Sequence, residues 1–422
     1  MEVLDKIIKE LPDHLVEAII SKTITDELSF EDNNYSRANS GEQIKLEIRV
    51  TKGLRSGYAW TNNLSKWREC LLRANKLMKA SSELKLKPII SKSTSINKSF
   101  IDPKIKSVDI GLLKSKGENL INSVKSLGVN VPQLNISKES CFREFLNSNL
   151  TSFKQDQSKI NIELECGIKD SSAWDVRTSQ GLNIDFEELG GSTAQVCKDS
   201  LNGEKINPGL FNVVFDFGAI SELMNILLPS VLANNIIEHN SFLEGKINQQ
   251  VISKLLTIKD SGVIPDGVNN SLMDLEGTPI NEKLIFHQGV LKTFLNDNYT
   301  AQQLKVKPTG NSAGLLKRGF ETSNNILINP GDASKEELLD NCIYVKNLMG
   351  SHTANTVSGD FALNALNVFK YEKGEKTPVR DVLVSGNIFK LLNQVIQLGK
   401  TSRFDMALKT PLIKFEKVQL IG

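Results

Sequence analysis

The chain has 422 residues, 40% hydrophobic and 24% charged, an apolar content sufficient for two or three cored domains at roughly 100–200 residues each. Its 51 basic and 49 acidic residues leave a net charge of +2, so no direct nucleic-acid partner is expected. There is no run near the ~18 apolar residues of a membrane helix, no leader pattern, and no CxxC among Cys70, Cys141, Cys166, Cys197 and Cys342; the expectation is a cytoplasmic chain with no membrane contact, no disulfides and no zinc knuckle.

Residues 2–21 bring Val3, Ile7, Leu11, Leu15, Ala18 and Ile19 near one helical face, with a kink expected at Pro12. KLEIRV (45–50) alternates strictly, with Leu46, Ile48 and Val50 on one face, and predicts a half-buried strand. Ser65 is placed to cap a helix running to about Ser82, with Trp67, Leu71, Leu72 and Leu77 near its core side. Residues 1–90 therefore read as an N-terminal α+β domain. KLKPIISKSTSINKSFIDPK (85–104) shows no period and reads as a linker. A helix at about 108–126 should end at Gly128, CFREFLNSNLTSF should turn at Asn147-Ser148-Asn149, and KINIELECGI sets Ile160, Ile162, Leu164, Cys166 and Ile168 on one face. With a further turn at Gln180-Gly181, residues 91–204 form a middle domain of linker, helix and antiparallel meander. In residues 205–422, NVVF is a short strand and a helix at about Ala219–Asn234 is limited by Pro229. Hairpins turn at His287-Gln288-Gly289 and Glu372-Lys373-Gly374. This third domain should be mostly antiparallel and barrel-like, and the fold class α+β.

A zinc peptidase site within one chain needs two histidines one helical turn apart, a third ligand and a carboxylate to act on the bound water. The helix at 219–235 carries Glu222 but no histidine, and His14, His239 and His287 stand alone. His352, in LMGSHTANTVSGDF (348–361), is the histidine with chemistry-bearing neighbours. Cys342 lies ten residues upstream, roughly 33 Å away along a straight strand, too far for a Cys–His pair without a sharp reversal. Ser351 or Ser358 with His352 and Asp360 composes a hydrolytic triad on paper, but no GxSxG elbow supports it. PTGNSAG (308–314), with Asn311, lacks the Gly-Lys-Ser/Thr ending of a phosphate loop and reads as a groove-lining turn. Asp274 and Glu276 in LMDLEGTP are either an acid–base pair or an exposed strand end.

Five segments, in order, carry a resemblance: EIRVTKGLRSGYAWTNNLS; LLTIKDSGVIPDG; LEGTP with the hairpin ending LNDNYTAQQLKVKPTGNSAG; LMGSHTANTVSGDF; and KGEKTPVRDVLVSGNIFKLL. Together they resemble the TldD/PmbA family, once called modulators of DNA gyrase, and more closely its PmbA (TldE) branch. The resemblance implies a zinc metallopeptidase in the TldD members, with a His-Glu-x-x-x-His helix and a downstream cysteine, acting as a heterodimer with a PmbA/TldE partner on unfolded or modified peptides. The metal helix falls at FDFGAISELMNILLPS, which has no histidine, and Leu348 and Met349 stand where the cysteine is expected. The expectation is therefore a non-catalytic subunit with no cofactor of its own, paired with a TldD-type subunit that holds zinc. His352, Thr353, Asn355, Ser358, Asp360, Asp274, Glu276 and Asn311 are its candidates for a substrate or partner cleft. The alternatives are an autonomous hydrolase using an unrecognised site, such as Asp274 and Glu276, or a gyrase-related binding protein.

Overall fold

The computed structural model describes residues 2–92 and 94–422. Its first part runs α1 (Glu2–Glu10), β1 (Leu15–Glu31), β2 (Asn34–Lys52), β3 (Arg55–Thr61), α2 (Trp67–Ala80), β4 (Ser95–Phe100), α3 (Ile110–Ser126), β5 (Asn130–Asn147), β6 (Ser152–Ile168), β7 (Ser171–Ser179) and α4 (Phe186–Asp199). These strands make one seven-stranded sheet in the order β3-β2-β1-β5-β6-β4, with β7 also on β6. Because β1 pairs with both β2 and β5, the sheet crosses the boundary expected at residue 90. One core packs α1 and α2 on β1–β3; another packs α3 and α4 on β5 and β6.

The apolar faces of the alternations at 45–50 and 159–168 appear as read, except that Ile168 is half-buried and Arg49, read on the polar face, is buried. Leu46, Ile48, Val50, Ile160, Ile162, Leu164 and Cys166 are all fully buried. Three expectations are corrected. The helix expected over 2–21 stops at Glu10, and Leu15 begins β1. In the run Val16–Ile20 both faces are covered, Val16, Ala18 and Ile20 by the core under α1 and α2 and Ile19 by Phe145 and Phe153, so apolar residues fall on both sides and the spacing mimics a helix. The segment taken as a linker contains β4, a polar strand running parallel to β6 from Ser95↔Ser152 to Phe100↔Gln157. Ser65 is not a cap: Asn63 Oδ1 accepts the Ser65 N–H (3.0 Å) at the start of a 3-10 turn, and Leu72 and Leu77 are exposed.

The second part runs β8 (Gly209–Phe215), α5 (Phe217–Leu227), α6 (Ala233–Ile237), β9 (Ile258–Ser261), β10 (Lys283–His287), β11 (Val290–Leu291), α7 (Asn298–Leu304), β12 (Asn325–Ile328), α8 (Lys335–Leu338), β13 (Cys342–Met349), β14 (Asp360–Glu372), β15 (Glu375–Val379), β16 (Val382–Asn387), α9 (Ile388–Asn393), β17 (Val395–Asp405) and β18 (Leu408–Ile421). Both expected hairpins are present, as β10–β11 and β14–β15. The pairings β8–β13, β13–β14, β14–β16, β16–β18 and β18–β8 close a five-stranded ring. Only the β8–β13 contact in that ring is parallel, so the fold is α+β with a barrel-like, mainly antiparallel second part. α5 buries Phe217, Ile220, Leu223, Met224, Ile226 and Leu227 in the main core. Pro229 then sits at the second position of a 3-10 turn, Leu228–Val231, and the single helix expected to Asn234 is two helices, α5 and α6.

Candidate functional site

α5 leaves β8 through Asp216, whose carboxylate caps the helix by accepting the Phe217 N–H (2.7 Å) and also accepts a hydrogen bond from the Tyr344 hydroxyl. Burial, followed by the Asp216 charge, pushes the Tyr344 phenol well up, so it stays a donor. At Gly218 the helix lies directly on β13, where a Cβ would come within 1.8 Å of Asn347 Oδ1. This contact brings the polar residues of α5 toward the end of β13. Glu222 Oε2 accepts the backbone N–H of Ser351 at 3.0 Å. Gly350, at φ +112°, lets the chain turn sharply there into the 3-10 turn Ser351–Thr353.

The loop that follows is held by its own side chains. Thr353 Oγ1 donates to Gly350 O (2.8 Å), and Asn355 Oδ1 accepts the N–H groups of Val357 and Ser358 (both 3.0 Å). Ser358 Oγ donates to Asp360 Oδ2 (2.7 Å), while Asn387 Nδ2 donates to Asp360 Oδ1 and to Ser358 O (both 2.8 Å). The bonds from Asn387 and then Ser358 hold the Asp360 carboxyl below its ordinary value. His352, Thr353, Asn355 and Asp360 are exposed and Ser358 half-buried, so the structure gathers all five into one ordered surface loop beside α5.

The other three candidates lie elsewhere, inside the protein, and do not join that loop. Asp274 accepts N–H groups from Glu276 (2.9 Å), Thr278 (2.8 Å) and Ser312 (3.0 Å), and burial, with Glu276 nearby, pushes its carboxyl up to about 8. Asn311 donates to Asp260 and Thr322 O (both 2.8 Å) and accepts from Lys283 (2.9 Å). Glu276, fully buried, accepts from Asn298 N (3.2 Å) and Nδ2 (3.1 Å), and pairs with Arg49 of β2. Arg49 also grips Glu17 of β1 with two bonds of 2.7 Å, and Arg318 reaches Glu17 at 3.2 Å. Burial raises Glu17, but Arg49 and Arg318 outweigh it and hold that carboxyl low; burial with Asp297 and Glu17 close by keeps Glu276 high in spite of Arg49. This network ties the first sheet to the second part of the chain. Its oxygens are engaged by backbone and arginine and are sealed from solvent, so Asp274 and Glu276 form no accessible acid–base pair. Asp175 of β7 makes a second such tie, to Lys346 (3.0 Å) and Arg403 (2.7 Å).

Sequence reasoning missed Glu17, Arg49 and Arg318. Arg49 sits on the polar face of a clean alternation and looked solvated; Glu17 interrupts an apolar run, the one signal that it was buried and paired. It also did not foresee the Glu222–Ser351 contact, although both segments had been singled out.

The zinc implied by the resemblance can be tested against this geometry. The polar residues of α5 are Ser221, Glu222 and Asn225, and Glu222 is engaged by the Ser351 N–H. Cys342 is at the far end of β13, roughly 23 Å along the strand from Met349. Among the described residues no group of three or more His, Cys, Asp or Glu is arranged to hold a metal ion. The donor set at α5 does not fit a catalytic zinc.

The description "PmbA/TldA metallopeptidase C-terminal domain" matches residues 208–422, a little over half of the chain, and "PmbA/TldA metallopeptidase domain 1" matches residues 16–77. A Methanothermobacter thermautotrophicus protein named a metalloprotease is 26% identical over 403 residues, covering 90% of this chain and 86% of that protein. A Methanocaldococcus jannaschii protein is 28% identical over 267 residues, so the chain spans 63%, less than two thirds, of that relative's length. The crystal structure of TldE from Thermococcus kodakarensis superposes with a TM-score of 0.93 at 23% identity, covering 100% of both chains, which shows a shared fold. With domain matches at both ends of the chain, in their proper order, the protein belongs to the PmbA/TldD metallopeptidase family.

Proposed function

We propose that this chain is a TldE-like, non-catalytic subunit that pairs with a TldD-type zinc peptidase and helps enclose unfolded or modified peptides in the cytoplasm. The observation that carries this reading is the meeting of α5 with the 350–353 turn. These are the two segments where the resemblance expects metal ligands; they are in contact, and a Glu222–Ser351 hydrogen bond occupies the place of a ligand set. The fold likeness to TldE supports the assignment. In this reading zinc and general base belong to the partner. The ordered loop with His352, Thr353, Asn355, Ser358 and Asp360 faces the shared cleft or the partner surface. Among the described residues no helix is long and apolar enough to cross a membrane.

The test combines purified chain, a TldD-type partner and an unfolded peptide. Cleavage that requires the partner's His-Glu helix, and survives substitution of Ser221 and Asn225 here, is the expected result. Chelator-sensitive cleavage by this chain alone, or about one tightly held zinc per chain by elemental analysis, would overturn the proposal.

A further inference from the structure

β3 ends the seven-stranded sheet and pairs with β2 alone. Its hairpin closes at Lys52↔Arg55 around Gly53 and Leu54, with Gly53 at φ +61°. In a two-residue hairpin the closing pair is hydrogen-bonded, so Arg55, Gly57, Ala59 and Thr61 turn their backbone groups toward β2, while Ser56, Tyr58 and Trp60 turn theirs outward. Arg73 of α2 agrees with that phase, since its guanidinium donates to the Trp60 carbonyl. The register with β2 has no bulge, and among the described residues no strand lies on the outer side.

A cleft of about 750 Å³ follows this edge, within the roughly 300–1,000 Å³ of ligand sites. One wall is β3 from Tyr58 to Thr61. The other is a helical stripe of Lys66, Glu69, Arg73 and Leu77, all exposed. Trp60 is 50% exposed and Leu77 48%. Edge strands are ordinarily blunted by charge, proline or a bulge; this one is straight, with the Trp60 indole on the face that carries Lys45 and Glu47, and Leu77 on the α2 side.

The geometry points to a docking site for an extended peptide segment, added to the outer edge of β3 as a further strand between Trp60 and the α2 stripe. The outward N–H and C=O of Tyr58 and the N–H of Trp60 repeat at the spacing of an extended backbone, which neither a compact metabolite nor a nucleic acid matches. Lys66 and Arg73 against the single Glu69 favour a segment carrying negative charge. For its biological sense the site rests on the peptide-handling reading above; its geometry does not depend on it.

The experiment uses the full chain without a partner and a fluorescein-labelled octapeptide, Asp-Thr-Val-Thr-Val-Thr-Val-Asp, with two analogues N-methylated at alternate residues in opposite phases. The parent peptide is expected to bind. One analogue should lose about tenfold in affinity through its missing hydrogen bonds and the other should bind like the parent. Bound peptide should slow hydrogen exchange about tenfold in the segment holding Tyr58 and Trp60. Leu77→Glu, at an exposed position, should weaken binding about tenfold by placing a carboxylate among the peptide's acidic ends, with the melting temperature unchanged. Absence of binding, equal affinity of both analogues, protection away from β3, or protection of β3 by self-association in light scattering overturns the proposal. Binding is read without a TldD-type subunit, so its failure leaves partner-dependent cleavage standing, and failure of that cleavage leaves edge docking standing.

Discussion

Glu222 and Ser351 are 129 positions apart in the chain, yet one hydrogen bond joins them: the α5 carboxylate accepts the N–H that opens the 351–353 turn. Glu222 therefore acts as a positioning residue for the loop carrying His352. Truncating it to alanine should cost about 1.5–3 kcal/mol, the range for a hydrogen bond to a charged group. Hydrogen exchange across residues 350–353 should quicken, with Glu222→Gln intermediate because an amide oxygen still accepts. An unchanged exchange rate in the alanine variant would show that the loop holds itself.

Arg49 is buried between two carboxylates from opposite sides of the seam. Arg49→Met should lower unfolding free energy by about 3–5 kcal/mol, because Glu17 and Glu276 are left with less compensation in a dry site. Arg49→Lys should recover only part of this, since an ammonium cannot make the paired contact with Glu17. Urea titration of the three proteins gives the ordering.

Glu321 supplies a pH signature. It accepts from Thr300 Oγ1 (2.6 Å), and burial, with Asp297 nearby, pushes its carboxyl up to about 7. A raised folded-state value means the folded protein holds this proton after the unfolded chain has released it. Its stabilisation is full below the ordinary glutamate range, falls as pH rises toward 7, and is gone above. Glu321→Gln should remove that fall. The variant's stability relative to the parent should climb by up to about 3 kcal/mol between pH 4.5 and 8, checked by denaturation at matched ionic strength. A flat difference would place the Glu321 carboxyl in its ordinary range.

Gly57 lies where α2 crosses β3, and a Cβ there would stand 2.2 Å from both the Ala74 carbonyl oxygen and the Met78 nitrogen. Backbone cannot swing aside as a side-chain tip can. Gly57→Ala should cost about 1–3 kcal/mol and shift α2, so both the melting temperature and the affinity for the octapeptide should fall. A variant as stable as the parent would mean that the helix re-seats freely.

What the sequence disclosed follows from how evenly each segment meets solvent. β6 was legible because one face is buried and the other wet, which writes the strand period into Ile160, Ile162, Leu164 and Cys166. β1 was not, because both its faces are covered over 15–20 and no wet face marks the period. β4 was hidden for the opposite reason: an edge strand of Ser, Asn and Lys has almost no dry face. At the site, the absence of histidine from α5 was visible in the letters. The Glu222–Ser351 contact was not, since it depends on the ring that brings β8 and β13 side by side. The burial of Asp274 and Glu276 was equally invisible, because two carboxylates beside a Gly-Thr-Pro turn look the same whether water or arginine receives them.

The ring has one more effect, on the order in which the molecule can be made. β8 and β18 are neighbours in space but about two hundred positions apart, and β18 also carries β12, β16 and β17. On the ribosome the N-terminal sheet can settle once α4 has emerged to close its core, whereas the barrel must stay an open, sticky half-cylinder until its last strand arrives. Nascent chains halted before Leu408 should therefore engage chaperones far more than chains halted just after Asp199.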